Sequence, residues 1–250
     1  MTERTVVITG GSRGIGAGIS RAFHSSGHRV IIASRKDTGL AAELGPGAQF
    51  FATDVRDPRA LRALAVNALK STGRIDVLVN NAGLSAWRPL EKIDESFWQD
   101  MVDTNLKSVL FASQAVSNYL PRGGAIINIS SLAGKRGSAN NSVYCATKFG
   151  VNGITQALAK ELGNRGIRVN AVCPVYVTTS GLEEALREAV SPTGGQDMAE
   201  YLATFAATQS ALGTLPTADQ VAQACVFLAS PAADAITGQC INVDCGVLPQ

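Results

Sequence analysis

The feature that most limits the fold is an alternation. Short, almost wholly apolar runs recur at residues 4–9, 29–34, 48–53, 75–79, 125–129, 166–172 and 239–243. Stretches with helical apolar spacing separate most of them, at about 58–71, 94–120, 144–162 and 217–230. A run that is apolar at every position, not every second one, suits a strand buried on both faces, which belongs in a parallel sheet covered by helices. Seven such strands predict one α/β domain over residues 1–250, with a doubly wound parallel sheet. Such sheets bind ligands beyond the carboxyl ends of their strands, so chemistry is expected there.

Composition removes several function classes. The chain is 46% hydrophobic and 17% charged, enough apolar residues for a full core and too few charges for disorder. A net charge of +2 without any Lys/Arg cluster argues against a nucleic-acid surface. The five cysteines form no C-x-x-C pair and the only histidines are His24 and His28, so no metal site is expected. An odd cysteine count without paired spacing suits free thiols in a reducing compartment. The first ten residues run straight into a strand without a signal-like apolar segment, and no apolar run approaches about 18 residues. The expectation is a cytoplasmic protein with no membrane span.

Three strand ends carry chemistry. The first strand leads into Thr9-Gly10-Gly11-Ser12-Arg13-Gly14-Ile15-Gly16 and then a helix. A glycine-rich turn at a helix N-terminus lays backbone N–H groups against a pyrophosphate, with the helix dipole in support. The second strand ends in Ser34-Arg35, where dinucleotide folds that take NAD place an acid against the ribose hydroxyls. An acid would repel a 2′-phosphate, whereas a guanidinium can grip one with paired hydrogen bonds. Arg35, with Arg13 as a second candidate, therefore favours NADP(H); NAD(H) is the alternative, with these arginines as solvated surface residues.

The third strand end is residues 125–129, closing on Ser130-Ser131. Thirteen residues after Ser131 comes Tyr144-Cys145-Ala146-Thr147-Lys148, entering a helix. Positions four apart share a helix face, so Lys148 would bring positive charge near the Tyr144 phenol. A cation favours the phenolate and would draw its pKa of about 10 toward neutrality, where it exchanges protons at working pH. The Ser131 hydroxyl would hold a carbonyl oxygen. Taken alone, Y-x-x-x-K is better read as an ordinary helix face.

Taken together, the turn at residues 9–16 and the order Ser131, Tyr144, Lys148 resemble the short-chain dehydrogenase/reductase family, and related motifs extend to Gly246. The resemblance implies a Rossmann-type sheet in the order 3-2-1-4-5-6-7. It implies a ketone/secondary-alcohol oxidoreductase with hydride transfer on the B face and a homotetramer. Tyr144 would be the acid/base, with Lys148 lowering its pKa and binding the nicotinamide ribose, and Ser131 would hold the substrate oxygen. Asn105 would bend its helix and bind a water linking Lys148 to solvent. The cofactor would touch Gly10, Ser12, Arg13, Gly14, Ile15, Gly16, Ser34 and Arg35. It would also touch Asp54 and Val55 (at the adenine), Asn81, Ala82 and Gly83 of an N-N-A-G motif, and Pro174, Val177 and Thr179. Asp54 equally suits a helix cap before Pro58. Trp87 either edges the substrate cleft or packs.

The chain departs from the family pattern twice. Val175 stands where the family has glycine after Pro174, which would add bulk near the nicotinamide. The closing V-D-G-G reads Val243-Asp244-Cys245-Gly246. Residues 180–212, with helical patches at 182–190 and 197–208, are expected to form a substrate lid with few strongly apolar positions. The resemblance puts its length closer to members acting on acetoin, diols and polyols than to many 3-oxoacyl reductases, and no basic cluster marks a carrier-protein dock. A nucleotide-binding regulator without chemistry is the other class. Relatives of that kind usually lose the tyrosine or the lysine, and this chain has both.

Overall fold

The computed structural model describes residues 3–249. Seven strands, β1 (Thr5–Thr9), β2 (Arg29–Ser34), β3 (Ala48–Ala52), β4 (Val77–Asn80), β5 (Ala125–Ile129), β6 (Arg168–Pro174) and β7 (Cys240–Val243), form one sheet. The order is β3-β2-β1-β4-β5-β6-β7 and every pair is parallel. The expected topology holds. The strands β4 and β6 start two residues later than the sequence predicts, because Ile75 and Ile167 are core residues of the loops leading into them.

Alternate strand residues feed two separate cores. Val6, Ile8, Val30, Ile32, Val77 and Val79 pack toward α1 (Gly14–Ser25). Val7, Ile31, Leu78, Ile126 and Val169 pack on the opposite face, with α3 (Pro58–Thr72). A buried valine or isoleucine contributes about 1.5–3 kcal/mol, so each strand anchors both layers. The short helix α2 (Leu40–Leu44), flanked by Gly39 and Gly45, is absent from the sequence reading.

Polar side chains hold the strand ends. Asn80 donates to Asn128 Oδ1 (2.9 Å) and Ser113 Oγ (3.1 Å), and Asn128 donates to Thr155 Oγ1 (2.9 Å). Arg168 and Arg4 donate to the Leu228 and Ala229 carbonyls at the C-terminus of the helix at Ala218–Ala229, where positive charge complements the dipole.

The region read as one helix at 94–120 is broken. It comprises α4 (Glu95–Val102), a π-helical turn at Asp103–Lys107, and α5 (Ser108–Ser117). The remaining helices are α6 (Ser142–Leu162), α7 (Ser180–Leu186), α8 (Met198–Gln209) and α9 (Ala218–Ala229). Among the described residues, no helix is long and apolar enough to cross a membrane.

Candidate active site

Four polar residues meet beyond β4 and β5. Ser131 lies two residues past the end of β5, and its Oγ accepts from the Ala133 N–H at 3.1 Å. Its own proton stays available, and the Ser131 hydroxyl is near enough to the Tyr144 phenol to favour its ionised form. Tyr144 lies in the first turn of α6, and Lys148 follows one turn later. The Lys148 ammonium is 5% exposed and donates to the Ile129 carbonyl at 2.9 Å. It stands 5.6 Å from the Tyr144 ring centroid. Asn105, fully buried in the π-helical turn, clamps a loop. Its Oδ1 accepts from the Leu84 N–H (2.8 Å) and its Nδ2 donates to the Leu84 carbonyl (2.9 Å). A Cβ on Gly83 would lie 3.2 Å from Asn105 Oδ1 and 3.9 Å from Lys148 Nζ, so Gly83 separates the two.

One electrostatic expectation is corrected. Burial pushes the Tyr144 phenol up to about 12, and the Ser131 hydroxyl opposes this only in part. Desolvation of the phenol outweighs the lowering expected from Lys148. Burial also brings Lys148 down to about 8.

The glycine turn has the shape of a phosphate cradle. Gly10 and Gly14 have φ of 63° and 53°, and a side chain on Gly16 would collide with the Gly10 carbonyl. Helices α3, α4, α7, α8 and α9 each carry a side-chain cap, but α1 begins at Arg13 without one, leaving N–H donors at its mouth. Thr179 lies across from this mouth, about 3.4 Å from where a Gly14 Cβ would be, and caps α7. Asn81 donates to the Thr9 and Gly10 carbonyls and so ties the end of β4 to the turn. These residues fit a dinucleotide.

At the rim, Ser12 Oγ donates to Ser34 Oγ (2.8 Å), and Ser34 Oγ donates to the Lys36 carbonyl (2.8 Å). Thr38 Oγ1 donates to the Ser12 carbonyl (3.0 Å), so the turn and the β2 end form one unit. Arg13, Arg35 and Lys36 are exposed on it. The sequence reading missed Lys36 and Thr38, although both directly follow the singled-out Ser34-Arg35.

Other expectations change. The cap of α3 is Asp57, which accepts from the Arg59 N–H, while Asp54 pairs with Arg56 at 2.7 Å. That pair holds the Asp54 carboxyl below its ordinary range, with a smaller contribution from Arg35. Val55 and Val177 are buried in the two cores, Ile15 and Ala82 pack beside them, and Pro174 closes β6, so these positions offer mainly backbone to the cleft. Val175 packs with Phe205 against Leu132, Cys173 and Val247 instead of standing free. Trp87 is 3% exposed and packs with Ala185, Leu186 and Leu202. Residues 180–212 thus carry an apolar cluster of their own, contrary to expectation.

The chain is similar to known oxidoreductases. The family described as "Enoyl-(Acyl carrier protein) reductase" matches residues 10–248. The chain is 37% identical to a galactitol 2-dehydrogenase of Agrobacterium fabrum, covering 98% of both chains. It is 35% identical to the 3-oxoacyl-(acyl-carrier-protein) reductase FabG of Chlamydia muridarum, over 99% of this chain and 98% of the other. A crystal structure of an actinorhodin polyketide ketoreductase with NADPH is similar at a TM-score of 0.91 and 34% identity, covering 98% of this chain and 97% of that one.

Proposed function

The chain belongs to the short-chain dehydrogenase/reductase family, and on that premise we propose that it interconverts a ketone and a secondary alcohol with NADP(H), using Tyr144 as the acid/base. It is an oxidoreductase of CH–OH groups that uses a nicotinamide cofactor. When bound, the nicotinamide gives or takes the hydride. The protein's residues do the rest.

The observation that carries this reading is the convergence of the Ser131 hydroxyl, the Tyr144 phenol and the buried Lys148 ammonium just beyond β5. Ser131 positions the substrate oxygen within reach of the phenol. Tyr144, with its pKa held high, keeps its proton at neutral pH and is ready to donate it to a ketone oxygen as that oxygen gains charge. Lys148 stabilises charge nearby and reaches the ribose side of the cleft. Asn105 fixes the Leu84 loop, and the wide turn around it departs from α-helical bonding and gives a water a place in the proton path to Lys148. The α1 mouth, Asn81, Gly83 and Thr179 hold the dinucleotide. Ser34 and Arg35, with Arg13 and Lys36, favour the 2′-phosphate.

The exposed faces of α4, α5 and α6, with Trp98, Leu110 and Phe149, support self-association, and a homotetramer in the cytoplasm is the proposed form. Residues 180–212 act as a lid; weaker amide protection there without ligands than with cofactor and substrate is the expected hydrogen-exchange result.

The direct test follows absorbance at 340 nm with both cofactors across a ketone and alcohol panel. Ketone reduction should proceed at neutral pH and prefer NADPH. Alcohol oxidation needs a deprotonated phenol, so its rate should climb with pH from neutrality, by up to about tenfold per pH unit. A pH-independent oxidation rate between pH 6 and pH 9 would remove Tyr144 from the proton step.

A further inference from the structure

The substrate side of the site is walled by rings. The chain leaves β6 through Val175 and Tyr176. The Tyr176 ring lies 4.9 Å from Phe205 and 6.2 Å from Tyr201 between centroids, both edge-to-face at 68° and 67°. Tyr201 and Phe205 are four apart on α8 and share its inner face. All three rings remain partly exposed. Phe205 packs with Val175 on the cluster containing Leu132, the residue next to Ser131. The rings therefore reach, through Leu132, the segment that carries the hydroxyl proposed to hold the substrate oxygen.

The ring cluster extends to Trp87. Trp87 packs with Leu186 and Leu202, with Tyr176, Tyr201, Leu182 and Met198 against them. It lies four residues beyond Gly83, which separates Asn105 from Lys148. The two tyrosine hydroxyls face each other at 3.5 Å. Among the described residues of this wall, the one buried donor without a partner is Trp87 Nε1–H.

A polyol or sugar brings a donor and two acceptor lone pairs on every hydroxyl. Against this wall most of them would be stripped of water without replacement, which disfavours binding. An apolar ring loses nothing there and gains edge-to-face contacts. We propose that the enzyme's substrate is a ketone set in or beside an apolar ring system, held by Tyr176, Tyr201 and Phe205, and that polyols and sugars are excluded. The inference rests on Tyr144 acting as the acid/base of this site.

The test compares 2-tetralone, acetoin and acetoacetyl-CoA with NADPH, and galactitol with NADP+, on wild type, Phe205→Ala, Phe205→Leu and Tyr144→Phe. The expected kcat/KM is highest for 2-tetralone, by about tenfold or more over acetoin. Phe205→Ala should raise the KM for 2-tetralone about tenfold with little change in kcat, and leave acetoin unaffected. Phe205→Leu should recover part of the loss, and unchanged NADPH binding shows that the variants are folded. Should no probe turn over, calorimetric titration into the enzyme with NADP+ replaces the assay, and failure of 2-tetralone to bind more tightly than acetoin overturns the inference. Preference for galactitol, acetoin or acetoacetyl-CoA overturns it too, as does an equal effect of Phe205→Ala on all probes. The two failures are separable. If Tyr144→Phe silences a preferred polyol, only the ring-ketone inference falls; if it spares the preferred substrate, the acid/base reading falls.

Discussion

Lys148 and Arg35, the two cations proposed to meet one dinucleotide, are held in opposite ways. The Lys148 ammonium is buried, fixed on the Ile129 carbonyl and lowered to about 8. Its neighbours are equally constrained, Asn105 by both polar groups of Leu84 and Ser131 by the Ala133 N–H. Arg35 is exposed beside Arg13 and Lys36, on a rim joined through the Ser12, Ser34 and Thr38 hydroxyls. The catalytic floor is preorganised, with its geometry set before any ligand arrives. The rim instead offers charge that a ligand must order. Effects at the floor should therefore appear in turnover and stability, and effects at the rim in affinity and salt dependence.

The largest expected effect is on the floor. Tyr144→Phe removes the transferable proton and leaves the ring, so turnover should fall about a thousandfold while NADPH binding stays near wild type. Steady-state kinetics with fluorescence titration of NADPH checks both, and turnover within about tenfold of wild type would break the assignment.

Asn105→Ala attacks the same region through its support. The Leu84 N–H and carbonyl lose their partners, which should cost about 2–3 kcal/mol of unfolding free energy in urea. A loss under about 0.5 kcal/mol, the ordinary surface value, would show the floor to be less fixed than its hydrogen bonds imply.

At the rim, Arg35→Ala should weaken NADPH by about 10- to 150-fold, the value of one charge-assisted pair of hydrogen bonds, and leave NADH and stability nearly unchanged. Equal losses for both cofactors would place Arg35 on the adenine instead of the phosphate. Ser34→Asp should go further by repelling the phosphate.

The smallest effect sharpens the contrast. Raising salt from about 0.05 to about 0.5 M should weaken NADPH binding severalfold, because exposed arginines are screened, and leave the rate of saturated enzyme almost constant. A salt-sensitive saturated rate would mean that the floor, too, depends on exposed charge.

Much of this was legible in the sequence because it rests on local rules. Continuous apolar runs fix which segments are strands, and β2 and β5 fall at their expected bounds. The spacing of Tyr144 and Lys148 fixes a shared helix face. The glycines at 10, 14 and 16 announce a turn that larger residues could not make. What stayed hidden depends on partners far away in the chain. The direction of the Tyr144 pKa follows from how much water the folded chain removes, not from helix spacing. Trp87 and Val175 could each have been open or packed until Leu202 and Phe205 arrived from α8. Cys245, standing where the family has glycine, still takes the left-handed φ of 54° because Ser210 and Leu212 both donate to its carbonyl. Sequence alone determined the fold, the strand ends and the candidate chemistry, since periodicity and backbone sterics act within a few residues. The charge state of the floor and the shape of the substrate wall were decided by tertiary packing, because desolvation and ring contacts come from segments that only the fold brings together.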